Sequence, residues 1–506
     1  VRNGFILLCL LAFALPAAAW DFSGNNQATI WVSRGDSLSG GAYNILQYRE
    51  ACDLRLAGRV KDGIRLEAGL KFLYDQETWD DQPLFSGFSK RYLQLKTDML
   101  TARIGTYYVA LGRGLVLNCA NEQAAKIDRQ LDGAMASASV DGLGDARLLF
   151  GRISENTREL DTSMTYLGIE LKFTKLASIT PGLAYLRANA AGQGSDPSLG
   201  KPVEETYSGS LAGNLGPVEY YGEYGGRRTY GRLSPTAGWV GIKDINGHAI
   251  YGSLSASSSG LGVMMDFKDY RDFDAGINAP PPCNREGRLL NNGRGERGFQ
   301  LDITTTPWEL LELHGNISSA KSTKKSDNVS VSDGTVYPGE QKWGDILAEC
   351  RWEYSSSIIF TGEARSRRED NLQPDIIVKK YQGASAGIVW RYSADQTLSL
   401  KAGGNRYHNI YQTENLDYDE VLAELGWVPL KWLNVFASAD LADKPVAEYD
   451  GQKSWGETGC SVDLDQGRQQ LKLSVGKTKG GLVCSGGFCR WEPAFRGFKA
   501  VWSWKF

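Results

Sequence analysis

Beyond residue 19 this 506-residue chain contains no apolar run approaching the roughly 20 residues that a membrane-spanning helix requires. Helical spans are therefore not expected there. Strands remain open, because a β-strand crosses hydrocarbon in about 9–11 residues and needs only every second side chain to be apolar. Histidine is scarce: His248, His314 and His408 are the only three. With no HExxH pair, dinucleotide fingerprint, Walker loop or clear calcium loop, neither an enzyme nor a metal or other cofactor is expected. A dominant charge is missing too. Lys plus Arg number 56 against 59 Asp plus Glu, a net charge of −3, which gives no basic stripe for nucleic acid.

The first 19 residues read as a cleaved secretory signal peptide. Arg2 supplies the positive region, Phe5 to Leu15 the apolar core and Ala17-Ala18-Ala19 the small-residue cleavage site. Removing them takes away Arg2 and leaves 55 basic against 59 acidic residues, a net −4. Residues 20–48 are expected to form an amino-terminal extension or a plug, and 49–506 the folded domain. Removing Cys9 from the eight cysteines leaves seven. Cys484 and Cys489, separated by Ser-Gly-Gly-Phe, are expected to pair across a flexible turn of an exported chain.

What the sequence has in abundance is glycine, tyrosine and tryptophan, at 59, 23 and 14 residues, a mixture suited to turns, bulges and interfacial aromatic belts. It also alternates. From Ile64 to Phe72 the even-numbered side chains are apolar, while Arg65, Glu67 and Lys71 fall on the other face. Leu398, Leu400 and Ala402 repeat the pattern, as do Leu471, Leu473 and Val475. A strand buried on both faces would have no use for this separation, but a wall between lipid and water requires it. Turns such as Val428-Pro429-Leu430-Lys431 are short, whereas polar stretches such as Asp272 to Gly295 are long. The final strand places Ala500, Trp502, Trp504 and Phe506 on one face. These signals predict an all-β fold, a large antiparallel transmembrane β-barrel of about 22–26 strands, closed because an open edge in hydrocarbon leaves backbone groups unpaired. The structural rival is a soluble β-helix, which would show a constant repeat that this chain lacks.

Two segments resemble a poorly characterised family of large bacterial outer-membrane β-barrel proteins, described only as a domain of unknown function. They are Arg-Ile-Gly-Thr-Tyr-Tyr-Val-Ala-Leu-Gly-Arg-Gly-Leu-Val-Leu at residues 103–117 and the cysteine-bearing turn at 480–490. The resemblance implies an outer-membrane location and a barrel, and supplies no transported compound. The closing aromatic strand resembles those of outer-membrane barrels generally, which implies a periplasmic carboxyl end.

Both signs of charge recur on the face that avoids lipid. Arg65, Glu67, Lys71, Glu349, Arg351, Glu353, Glu363, Arg365 and Arg367 are the candidate lumen-lining residues, either as pore walls or as an internal ion-pair network. Gly112, Arg113 and Gly114 are the candidate structural bend. The expected function is porin-like passage of small hydrophilic solutes through a charged aqueous lumen, narrowed by a plug or an inserted loop. The alternative is a closed surface-binding or assembly scaffold, with an outer-membrane hydrolase third. Outer-membrane lipids and the assembly machinery are the expected partners.

Overall fold

Alternating side chains give a sheet two different faces. The computed structural model describes residues 20–36, 42–61, 63–76, 85–122, 127–153, 164–176, 178–190, 202–231, 245–273, 277–290, 295–322, 329–330, 336–337, 340–371, 376–411, 414–446, 449, 451–485, 488–492 and 494–506. Through it runs one sheet of 24 antiparallel strands, within the expected 22–26. Each strand pairs with its sequence neighbour in the wall. The first, Trp20–Asp36, also pairs with the last, Phe495–Lys505, setting Ala28 opposite Trp502 and Ile30 opposite Ala500. The sheet is thereby a closed barrel with no free edge.

That closure corrects the expectation for residues 20–48. Trp20–Asp36 is not an extension or a plug but a wall strand, hydrogen-bonded on both sides. Its alternation is hard to see in sequence because Gly24, Asn26 and Ala28 occupy outward positions before Ile30 and Val32 begin an apolar run. The signal segment 1–19 lies outside the described residues.

The outer face is apolar along neighbouring strands. Val421 and Phe150 are 62 % and 55 % exposed. Cross-strand register carries the same face onward, from Val421 to Leu441 and from Phe150 to Ala134 and Leu167. In water such exposure costs roughly 25 cal/mol per Å² of apolar area; against hydrocarbon the same face is matched to its surroundings. Trp308, Trp352, Trp390, Trp427, Trp502 and Trp504 are exposed near one rim, forming an aromatic girdle.

The two ends of the barrel differ. At one end, which also carries Trp20 and Phe506, the connections are two to five residues long; at the other they reach 23 residues, at 108–130 and 272–294. Between Arg227 and Gly295, where strand orientation is hardest to follow in sequence, the wall comprises the remainder of Val218–Gly231, then Ile245–Ser258 and Leu261–Arg271.

The disulfide expectation is also corrected: no disulfide is found among the described residues, where Cys52, Cys119, Cys283, Cys350 and Cys460 are all free thiols. The backbones of Cys484 and Cys489 are paired across a short hairpin, and the side chains of these two lie outside those described.

Candidate functional site

The two 23-residue connections do not simply extend the barrel outward. After Tyr107 the chain leaves the wall, forms a small hairpin of Val109–Leu111 and Leu117–Cys119, and returns at Leu131. Gly112 and Gly114 turn that hairpin at φ of +62° and +84°, conformations that glycine adopts at low cost. Here the expected bend is a tight turn inside the lumen. Leu111, Leu115, Val116 and Leu117 are fully buried, partly against inward wall residues Leu149, Ile153 and Leu186.

The second inserted segment, around residues 277–290, meets the first. Asn118 donates its backbone N–H to the Ile277 carbonyl at 2.9 Å, Ala279 donates to Gly114 at 3.1 Å, and the Asn278 side chain donates to the Leu115 carbonyl at 3.1 Å. Pro280, Pro281 and Pro282 carry no N–H, so this buried to half-buried stretch presents only carbonyls to be satisfied. The wall supplies the donors: the Tyr270 hydroxyl to Pro281 at 2.9 Å and Lys268 Nζ to Pro282 at 2.5 Å. Gly225 leaves room for the insert; a Cβ there would stand 2.8 Å from the Phe273 ring.

Charge fixes the inserts to the wall. Gly112 N–H donates to Glu170 at 3.1 Å and Arg113 N–H to Glu223 at 3.0 Å, while the Arg113 guanidinium lies 4.1 Å from the centre of the Tyr221 ring. Arg285 pairs with Glu349 at 2.6 Å, and Arg288 with Glu369 at 3.2 Å. His314 stands between Asp302 and Glu349, at 2.8 and 2.7 Å, and so joins the Arg285 anchor to a second strand. Burial pushes the thiols of Cys119 and Cys283, one on each insert, up to about 12.

The nine residues expected along the lumen all lie on the inward face, but in different settings. Arg65 and Glu67 line a cavity near the short-turn end, and Lys71 reaches Asp128 of the first inserted segment at 3.8 Å. Glu349, as above, holds Arg285. Arg351 and Glu353 pair with each other at 2.7 Å, and Glu363 faces Lys401 at 3.7 Å. Arg365 binds Asp345 at 2.7 Å and Glu286 at 2.8 Å; Arg367 contacts the same Glu286. The set is therefore divided between insert anchors and wall positions, rather than gathered at one place.

Sequence reading missed Lys268, Glu296 and Asp345 on the wall, together with Arg285, Glu286 and Arg288 on the insert. The usable signal was the run Arg285-Glu286-Gly287-Arg288 just after three prolines, whose mixed charges complement those of the wall. Among the described residues no group of three or more His, Cys, Asp or Glu side chains is arranged to hold a metal ion.

A closed barrel with an apolar outer band, an aromatic girdle and a charged interior defines a bacterial outer-membrane β-barrel. The chain belongs to the family of unknown function DUF6029, whose model matches residues 59–286 and 284–506. No curated protein sequence matches it. Among solved structures it is similar to the translocation pore of the P pilus usher PapC, at 10% identity over 96% of this chain and 99% of that one, with a TM-score of 0.46. The siderophore receptor PirA from Pseudomonas aeruginosa matches at 9% identity over 96% of this chain and 80% of that one, with a TM-score of 0.44. OccK5 (OpdH) from Pseudomonas aeruginosa matches at 11% identity over 73% of this chain and 98% of that one, with a TM-score of 0.42.

Proposed function

We propose that this barrel passes small hydrophilic solutes across the bacterial outer membrane through a charged lumen narrowed by its two inserted segments. The observation that carries this reading is the division of the inner face. One part anchors the inserts through Glu170, Glu223, Glu349 and Glu369. Elsewhere inward side chains such as Glu424 and Lys472 stay exposed, as a water-filled passage requires. A barrel of 24 strands is wide enough to need an internal constriction.

In this reading the short-turn end and Phe506 face the periplasm and the long connections face outward, following the loop asymmetry of outer-membrane barrels. Lipids contact the apolar face, and the outer-membrane assembly machinery inserts the chain. Planar-bilayer recording of the purified protein tests the proposal. Stable single-channel steps are expected. Correct insertion without conductance would favour the closed scaffold, a reading supported by the packing of Leu115 and Ile277 among buried neighbours.

A further inference from the structure

At the short-turn end of the lumen, four adjacent strands bring together cations that a purely structural wall would keep apart. Cross-strand register sets Arg59 opposite Arg65, and Arg65 opposite Lys96. Like charges directly opposite each other are destabilising in a sheet. One step further along the same strands, Glu67 faces Gln94, and Gln94 faces Arg103. A cavity of about 260 Å³, lined by Arg55, Arg65, Glu67, Gln94 and Lys96, opens among them.

The single carboxylate in that lining is already engaged. Glu67 accepts from Arg55 at 2.5 Å and from the Tyr92 hydroxyl at 2.6 Å. Arg65 acts on Glu67 only through space, and neither it nor Lys96 makes a hydrogen bond or ion pair among the described residues. Arg103 lies over the Tyr92 ring at 3.5 Å, and its Nη1 faces Gln94 Oε1 at 3.5 Å, an orientation that leaves the Gln94 NH2 as a donor. Within the lining, Arg55, Arg65 and Lys96 against Glu67 alone leave a surplus of two positive charges beside a neutral donor.

We propose that this cavity is an anion-binding subsite, selecting small solutes that carry two negative charges on carboxylate or phosphate groups. Two surplus charges match a dianion, and the guanidinium of Arg65 presents the forked donors suited to either oxyanion. The subsite rests on the solute-passage reading above, because it stands at one mouth of the proposed route and sorts what passes.

The test is calorimetric titration of the purified full-length barrel in neutral detergent at pH 8, with succinate and with inorganic phosphate, both dianions there, as probes. Saturable binding of at least one is expected, weakening as salt is raised. The double variant Arg65→Gln/Lys96→Gln should lose about a hundredfold in affinity, since each of the two lost charge-assisted hydrogen bonds weighs on the order of a factor of ten. Lys431→Gln, in an exposed turn, should bind as the wild type does. Absence of saturable binding by the correctly folded wild type, or equal binding by the double variant, would overturn the subsite. Conductance of the same preparation separates the two readings: channel steps without anion binding remove the subsite alone, and anion binding without channel steps removes solute passage alone.

Discussion

Lys268 and Glu296 form an ion pair at 2.9 Å with both side chains fully buried inside the barrel. Their strands are neighbours in the wall, and Lys268 also donates to the Pro282 carbonyl of the insert. One ammonium thus ties two wall strands to the segment that fills the lumen. Gly298 helps make this possible, because a Cβ there would crowd the Lys268 side chain at 3.1 Å.

Removing that ammonium should loosen the insert before it opens the wall. Lys268→Met leaves Glu296 buried without its cation, a change that costs about 3–5 kcal/mol, and deprives Pro282 of its donor. The barrel, closed by strand pairing along all 24 strands, is expected to survive. Limited proteolysis of the folded variant should cut within 277–290 while the wild type resists; equal resistance would show that Lys268 is not an anchor.

Cys119 and Cys283 report the same event chemically. Burial holds each thiol up at about 12, against an ordinary value of 9.0, so near neutral pH both are protonated as well as shielded. In proteins retaining only one of these cysteines, a water-soluble maleimide should fail to label the native barrel and should label Cys283 in the Lys268→Met background. The pH dependence has a definite sign. A raised folded-state pKa adds stability that is complete below about pH 9 and is lost as pH climbs towards 12, so alkaline solution should release the inserts. Labelling that is already fast in the neutral wild type would place these thiols outside the packed interior.

Adjacent positions on one strand test the two faces. Ala439 faces outward between Ala423 and Gly456, while Ser438 faces inward between Glu424 and Glu457. Ala439→Arg should impair insertion, because a cation on the lipid face at mid-wall costs about 2–4 kcal/mol. Ser438→Arg gains two carboxylate neighbours and should insert normally. Heat-modifiable gel mobility distinguishes them; equal yields of folded protein would reverse the assignment of faces.

Arg351 tests whether the wall steers ions. It pairs with Glu353 at 2.7 Å on the inner face, so Arg351→Gln frees a carboxylate in the lumen. Reversal potentials in a salt gradient should shift towards cation selectivity. An unchanged potential in a correctly inserted variant would leave Arg351 with a structural role only.

The barrel was legible in sequence because period-two alternation is a local property. Leu66, Leu70 and Phe72 announce the outer face whatever the rest of the chain does, and Arg65, Glu67 and Lys71 follow onto the inner one. The inserts were not legible in the same way. A polar stretch such as Asp272 to Gly295 suits outer solvent and a wet lumen equally, and its inward path is decided by distant partners: Tyr270 and Lys268 for the proline carbonyls, Glu349 and Glu369 for the arginines. Trp20–Asp36 was missed for the opposite reason. Its outward glycine, asparagine and alanine weaken the alternation, and only pairing with Phe495–Lys505 shows what it does.

In the proposed function a wide barrel is narrowed from within by inserted segments that include residues 108–122 and 277–290. Single-channel conductance should be compared between the wild type and a variant in which 277–290 is replaced by a short Gly-Ser linker. Stable steps are expected from both, and larger steps from the variant. Identical conductance from two correctly inserted proteins would show that the inserts do not set the width of the passage.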